Sequence, residues 1–260
     1  MTILHKYYRI DNRFLEVLIN NEIWFSNPFE FNDPYDCNLT IDSNNTFAEI
    51  YDYIIEVSKK YRKEFIERGD DLSEEAILKI ANYRYSNPEK LRETLRDNML
   101  MELGNKGIAC FSKSDNILLM WSHYADSHKG ACLTFDPSKD PDYFKYPYNV
   151  EYPKDYPIVN FINEKNPHKR AKHMLATKSQ DWVYEEEIRI VKDKQDHPKF
   201  RGNIKFKKDC LVSIKFGYKA DSNDIKTIKE LRDKEGYGHA RLFKANLKDG
   251  EFGIEYKEIV

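Results

Sequence analysis

The sequence predicts an α+β fold: a mixed, mainly antiparallel sheet core with a helical insertion. Three observations predict it. Short β-rich runs bounded by turn residues recur along the chain, among them LHKYYRI, EIWFSNP, KGIACFSKS, GACLTFD and LVSIKFGY. Between the second and third of these, residues 46–103 become rich in Glu, Lys and Arg and take helical spacing. The chain closes on RLFKANLKDGEFGIEYKEI, where Asp249-Gly250 marks a hairpin. With 260 residues, 40% of them hydrophobic and 14% aromatic, the chain has material for one large core. The reading is one domain over 1–260 with the insertion at 46–103.

The elements follow in order. Strand LHKYYRI leads to Asp11-Asn12, which can cap a helix over RFLEVLINN with Phe14, Leu15, Val17 and Leu18 on its apolar face. Asn27-Pro28 stops the next strand. In the insertion, Phe47, Ile50, Ile54, Val57 and Tyr61 recur every three or four residues. Asp71 and Glu74 form a capping-box-like pair, and Asn87-Pro88 opens a further helix. DNILLMWSHYAD (115–126) reads as a helix with Asp115 near its cap, YNVEYP as a strand, 164–178 as helical and NDIKTIKELRDKEG as a helix ending at Gly236. DWVYEEEIRIV ends as a strand. Tyr184, Glu186, Ile188 and Ile190 fall on one side, and Val183, Glu185, Glu187, Arg189 and Val191 on the other.

Composition excludes several classes. Forty-two Lys and Arg against 44 Asp and Glu leave a net charge of −2, which argues against coating nucleic acid by bulk electrostatics. The basic stretch NEKNPHKRAKH (163–173) reads as a solvated helix face. No apolar run of about 18 residues suggests a membrane span, and MTILHKYYRI lacks the apolar region of a signal peptide. Cys37, Cys110, Cys132 and Cys210 form no CxxC pair and read as buried thiols of a cytoplasmic protein. The glycine motifs of P-loop, dinucleotide-binding and hydrolase folds are missing. His123 and His128 stand five apart, the wrong spacing for paired zinc ligation. Asn32-Asp33-Pro34 and Asp36 invite a cation reading, but a proline-locked Asx turn fits better. No metal is expected.

Three clusters could carry chemistry: YYRI with FSNPFEFNDPYD, GIACFSKSDNILLMWSHYADSHKG, and WVYEEEIR. On helical geometry Met120, His123 and Tyr124 share a face, and Trp121 with Tyr124 could wall in a flat heterocycle. A buried helix with ordinary aromatic packing is the other reading. Glu185, Glu187 and Arg189 either protect an exposed edge strand or line a pocket in which Arg189 holds Glu187. Trp182 and Tyr184 favour the pocket. Cys110 and Ser112 are possible nucleophiles without an assigned base.

These motifs, spread over residues 7–217, resemble a bacterial family of unknown function, the domain-of-unknown-function family numbered twenty-nine seventy-one, whose members look like cargo of mobile or defence-associated loci. A more distant resemblance is to the ADP-ribosyltransferases. In that family a first strand ends in His, Tyr or Arg, a second carries a G-[IL]-Y-F-A type run followed by a Ser and a Tyr, and a third bears a Glu. Tyr8 and Arg9 fall at the first position, with no His there. GIACFSKSDNILLMWSHY falls at the second, with Tyr124 or Trp121 in the aromatic role. EEEIRIV falls at the third, with Glu187 or Glu185 as the acid. The resemblance implies a split sheet and NAD as substrate. Glu187 would contact the ribose and Glu185 would activate the acceptor, with His123 and Tyr124 beside them. Arg9 would take the pyrophosphate. Tyr8, Trp121 and Tyr124 would clamp the ring, with Ser112 and Arg189 in the binding set. The acceptor would be a nucleic acid or protein, the role toxin-like, and an antitoxin or regulatory partner is implied, with no membrane involved. Two other readings stand beside it. One is a metal-dependent nucleic-acid-processing effector using His123, Asp126, Glu185 and Glu187. The other is a non-enzymatic nucleotide sensor.

Overall fold

The computed structural model describes residues 2–195 and 197–259. In chain order the elements are β1 (Leu4–Tyr8), α1 (Asn12–Asn20), β2 (Glu22–Phe25), β3 (Thr40–Ile41), α2 (Phe47–Lys60), α3 (Arg62–Arg68), α4 (Glu74–Ser86), α5 (Pro88–Leu103) and β4 (Lys106–Ser112). There follow α6 (Leu118–Tyr124), β5 (Ala131–Phe135), β6 (Pro147–Asn149), β7 (Ile158–Val159), α7 (Pro167–Leu175) and β8 (Glu187–Asp193). The last are β9 (Gly202–Lys205), β10 (Leu211–Phe216), α8 (Ser222–Lys234), β11 (Arg241–Leu247) and β12 (Ile254–Glu258). The chain forms two compact units. One comprises Met1–Asp36, Asn105–Tyr152 and Lys178–Val260, the other Cys37–Gly104 and Pro153–Thr177.

The first unit is built on one eight-stranded sheet in the order β12-β11-β10-β5-β1-β4-β8-β6. Every pairing in it is antiparallel except β10 with β11. The α+β class is therefore as expected. At its middle the sheet is joined by a single residue pair, His5 with Ser112 between β1 and β4, whereas its other adjacent strands pair over at least three residues. Two-residue periodicity sorts its side chains. One face sends Leu4, Phe111, Leu133, Phe135, Ile188 and Ile190 into a core with Phe14, Val17 and Leu18 of α1 and Ile228 of α8. Asp11 caps α1 by accepting a hydrogen bond from the Phe14 N–H at 3.1 Å. The other face packs Tyr7, Cys132 and Ala245 against Met120 and Trp121 of α6. Behind α6 the chain turns back through Asp126, Ser127 and His128, all with positive φ. A Cβ on Gly130 would come within 2.1 Å of the Tyr8 carbonyl, so that turn needs glycine to reach β5.

In the second unit, α2 packs on α4, α4 on α5, and α5 on α7 and β3. It contains the helices expected over 46–103 and, in addition, residues 153–177. The capping box lies at Thr46 and Glu49, where side chain and backbone cap reciprocally. The Asp71–Glu74 pair does something else. Ser73 caps α4, and Asp71 accepts from the Ser73 N–H. The helix expected over 164–178 is limited to α7 by Pro167 at its start.

Two corrections bear on the site. Asp115 does not cap α6, which begins at Leu118 after an uncapped Ile117. Its carboxylate binds Lys215, and its carbonyl accepts from Trp121 Nε1 and the Tyr256 hydroxyl. Nor is WVYEEEIRIV strand up to its glutamates. Gln180–Glu185 is a 3-10 turn, Glu186 has left-handed backbone (φ 46°), and β8 starts at Glu187.

Candidate functional site

The cross-strand register lines up a buried polar row. Ser213 pairs with Thr134, Thr134 with His5, His5 with Ser112, and Ser112 with Glu187, across β10, β5, β1, β4 and β8. Directly opposed residues in a sheet project to the same face. All five are at most 8% exposed, so this row runs through the interior instead of facing water. At the β1–β4–β8 end lies a cavity of about 160 Å³ lined by His5, Tyr7, Phe31, Ser112, Tyr124 and Glu187, with Asp36, Lys178 and Glu185 among its other walls.

Its charged wall is an interlocked cluster. Arg189 is fully buried. It donates to both Asp36 oxygens at 2.7 Å, and to Glu187 at 2.8 and 3.1 Å. Such forked pairing fixes geometry as well as charge. The Phe31 ring lies 5.1 Å from the same guanidinium. Lys178 donates to Glu185 Oε2 at 2.6 Å and lies 3.5 Å from Glu187 and 4.0 Å from Asp36. The Tyr124 hydroxyl donates to the other Glu185 oxygen at 2.6 Å. Three carboxylates thus share two cations.

The two glutamates are held in different states. Burial alone would raise Glu187, but Arg189, followed by Lys178, outweighs it and holds the carboxyl at about 2. Burial raises Glu185 above the usual range against the pull of Lys178 and Tyr124. One is a fixed anion, the other a group suited to exchanging protons. His5 is lowered to about 4 by burial, against the opposing influence of Asp115. Its Nδ1 lies 3.2 Å from Thr134 Oγ1 and 3.6 Å from Asp115. Since the imidazole is neutral at ordinary pH and Asp115 is paired with Lys215, the His5–Asp115 approach is a polar contact, not an ion pair.

The low Glu187 value has a consequence for stability. A carboxyl held below its ordinary value stabilises the fold fully above that value, and loses the contribution as pH falls through the folded one. The stability gap between the wild type and Glu187→Gln is expected to narrow from about pH 4.5 down to about pH 2. Denaturant titrations at a series of acid pH values measure it.

The structure brings Glu187, Glu185, Tyr124 and Ser112 together in this cavity, with Arg189 behind them. Cys110 and Met120 also line it. Tyr8, Arg9, His123 and Trp121 lie elsewhere. Tyr8 turns to the opposite sheet face against Phe14, because strand alternation gives its place to His5 and Tyr7. Arg9, with a side chain 67% exposed, lies 4.0 Å from Asp126. His123 is exposed on the outer side of α6, 6.2 Å from the Tyr184 ring. Trp121 is 0% exposed, edge-on to Tyr7 at 5.2 Å, and forms core instead of a ring clamp. Trp121→Ala is therefore expected to cost about 3–5 kcal/mol of stability, read as a lowered denaturant midpoint.

Sequence reasoning missed His5 and Lys178, and weighed Asp36 only in a cation or turn reading. Alternation in LHKYY was the available signal for His5. The Asx turn in NDPYD is present, with Asp33 accepting from the Tyr35 N–H at 2.9 Å, but its use is to deliver Asp36 to Arg189. Nothing local marks Lys178.

The fold and site define an α+β protein with a buried carboxylate–cation cluster at the edge of a small cavity. Residues 120–190 match the model of the family described as a protein of unknown function (DUF2971), which supports over that stretch the family named from the sequence motifs. No curated protein and no solved structure matches the chain. Among the described residues no helix is long and apolar enough to cross a membrane.

Proposed function

We propose that this cavity cleaves NAD at its nicotinamide–ribose bond and passes ADP-ribose to an acceptor. The observation that carries the reading is convergence. Tyr124 from the helix after β4 and Glu187 from β8, each from a segment likened to ADP-ribosyltransferases, line the same cavity, and beside them stands His5 of β1, three residues before Tyr8. His5 also supplies the imidazole that the first segment lacked at Tyr8 and Arg9.

The chemistry is consistent with these residues. An apolar cavity of about 150 Å³ takes up benzene, so one of about 160 Å³ has room for a single six-membered ring such as nicotinamide. Tyr7, Phe31 and Tyr124 supply rings to hold it. The glycosidic C–N bond breaks, its electron pair leaves with nicotinamide, and positive charge develops on the ribose. Glu187, a fixed carboxylate, is suited to accept from a ribose hydroxyl and to stabilise that charge. The acceptor's nucleophile then bonds to the same carbon and gives its proton to Glu185. Arg9 lies outside the cavity and Arg189 is engaged by two carboxylates, so neither is assigned to the pyrophosphate. A metal-dependent nuclease has less support, since Asp36, Glu185 and Glu187 already hold an ammonium and a guanidinium.

NAD labelled on the nicotinamide ring, incubated with the full chain with and without cell lysate, tests the reading. Release of free nicotinamide is expected, faster where lysate supplies the acceptor. Folded protein that binds NAD without releasing nicotinamide would instead be the nucleotide sensor.

A further inference from the structure

The second unit contains a cavity of its own, about 180 Å³, lined by Asn38, Leu39, Thr40 and Ile41 of the β3 segment, Arg92 and Arg96 of α5, and Tyr156. Its polar side chains differ from those of the first cavity. No carboxylate is among them. Arg92 and Arg96 stand one turn apart on α5, so their guanidinium groups come from one helix face. Arg92 is held from the side by Glu89 at 2.8 and 3.0 Å. Among the described residues Arg96 makes no ion pair or hydrogen bond through its side chain. Thr40 and Asn38 add a hydroxyl and an amide. Tyr156, 41% exposed, adds a ring face.

With Arg92 paired to Glu89, Arg96 supplies the uncompensated charge; two arginines and no carboxylate in the lining favour an anion, and their forked donors match phosphate oxygens. Tyr156 beside them suits a flat base. The geometry points to a nucleoside-phosphate site in the second unit, formed by Arg92, Arg96, Thr40 and Tyr156 and separate from the chemistry of the first. The ligand is either a free nucleotide or one residue of a nucleic-acid strand, since both present the same phosphate and base.

Equilibrium binding of the full chain to three probes separates these: inorganic phosphate, ADP and a short single-stranded DNA. The wild type is expected to bind ADP more tightly than phosphate. Arg92→Gln with Arg96→Gln is expected to weaken ADP at least tenfold, as lost charge-assisted hydrogen bonds imply. Both arginines are exposed, so an unchanged melting curve and unchanged nicotinamide release should accompany the loss. A strand that binds more tightly than ADP, with a salt slope falling by about 0.7 per arginine removed, identifies nucleic acid as the source. A strand that binds no better identifies the free nucleotide. The proposal is overturned if no probe binds, or if the double variant binds ADP as the wild type does. Nicotinamide release, whether present or absent, leaves this result unaffected.

Discussion

Arg189→Met is expected to lower stability at neutral pH by about 3–5 kcal/mol, the cost of removing one partner from a buried ion pair. The guanidinium is fully buried and serves two carboxylates. Methionine fills similar space but leaves Lys178, at 4.0 and 3.5 Å, as the ion-pair partner of Asp36 and Glu187. The deficit should shrink in acid, because a Glu187 freed of Arg189 takes up a proton at higher pH than the wild type does. Urea midpoints of wild type and variant at pH 7 and pH 4 measure both effects. An exposed edge-strand arginine would show less than 1 kcal/mol and little pH dependence.

Glu187→Gln carries the second large effect, and here it falls on chemistry. The amide keeps the shape, and its oxygen can still accept from Arg189. What it loses is the negative charge that faces the cavity. Removing one electrostatic stabiliser of a transition state typically costs 10²- to 10³-fold in rate. Nicotinamide release should fall by about that factor, with the change in kcat and not chiefly in KM, since the lost interaction strengthens as the ribose becomes positive. Equal losses in both variants, each in proportion to unfolded protein, would mark Glu187 as a structural residue only.

The sequence makes the architecture legible further than the site. Local signals sufficed for α1, whose cap and apolar face are adjacent in the chain, and for the closing β11–β12 hairpin. They sufficed also for the grouping of Glu185, Glu187 and Arg189. Glu185 reached that group by a different route, through a 3-10 turn and a left-handed residue in place of strand alternation. What could not be read is long-range. Asp36 meets Arg189 across 153 positions. His5, Ser112 and Glu187 form a row only through strand order, which no local pattern encodes. Aromatic type misled in the other direction. Trp121 satisfies its indole N–H on the Asp115 carbonyl and needs no ligand to explain its place.

The most direct test of the central claim is nicotinamide release by the wild type beside Glu187→Gln, with both shown folded by their melting curves. Release by the wild type and a loss of at least about a hundredfold in the variant are expected. Release at the same rate from both, or from neither, would contradict that claim.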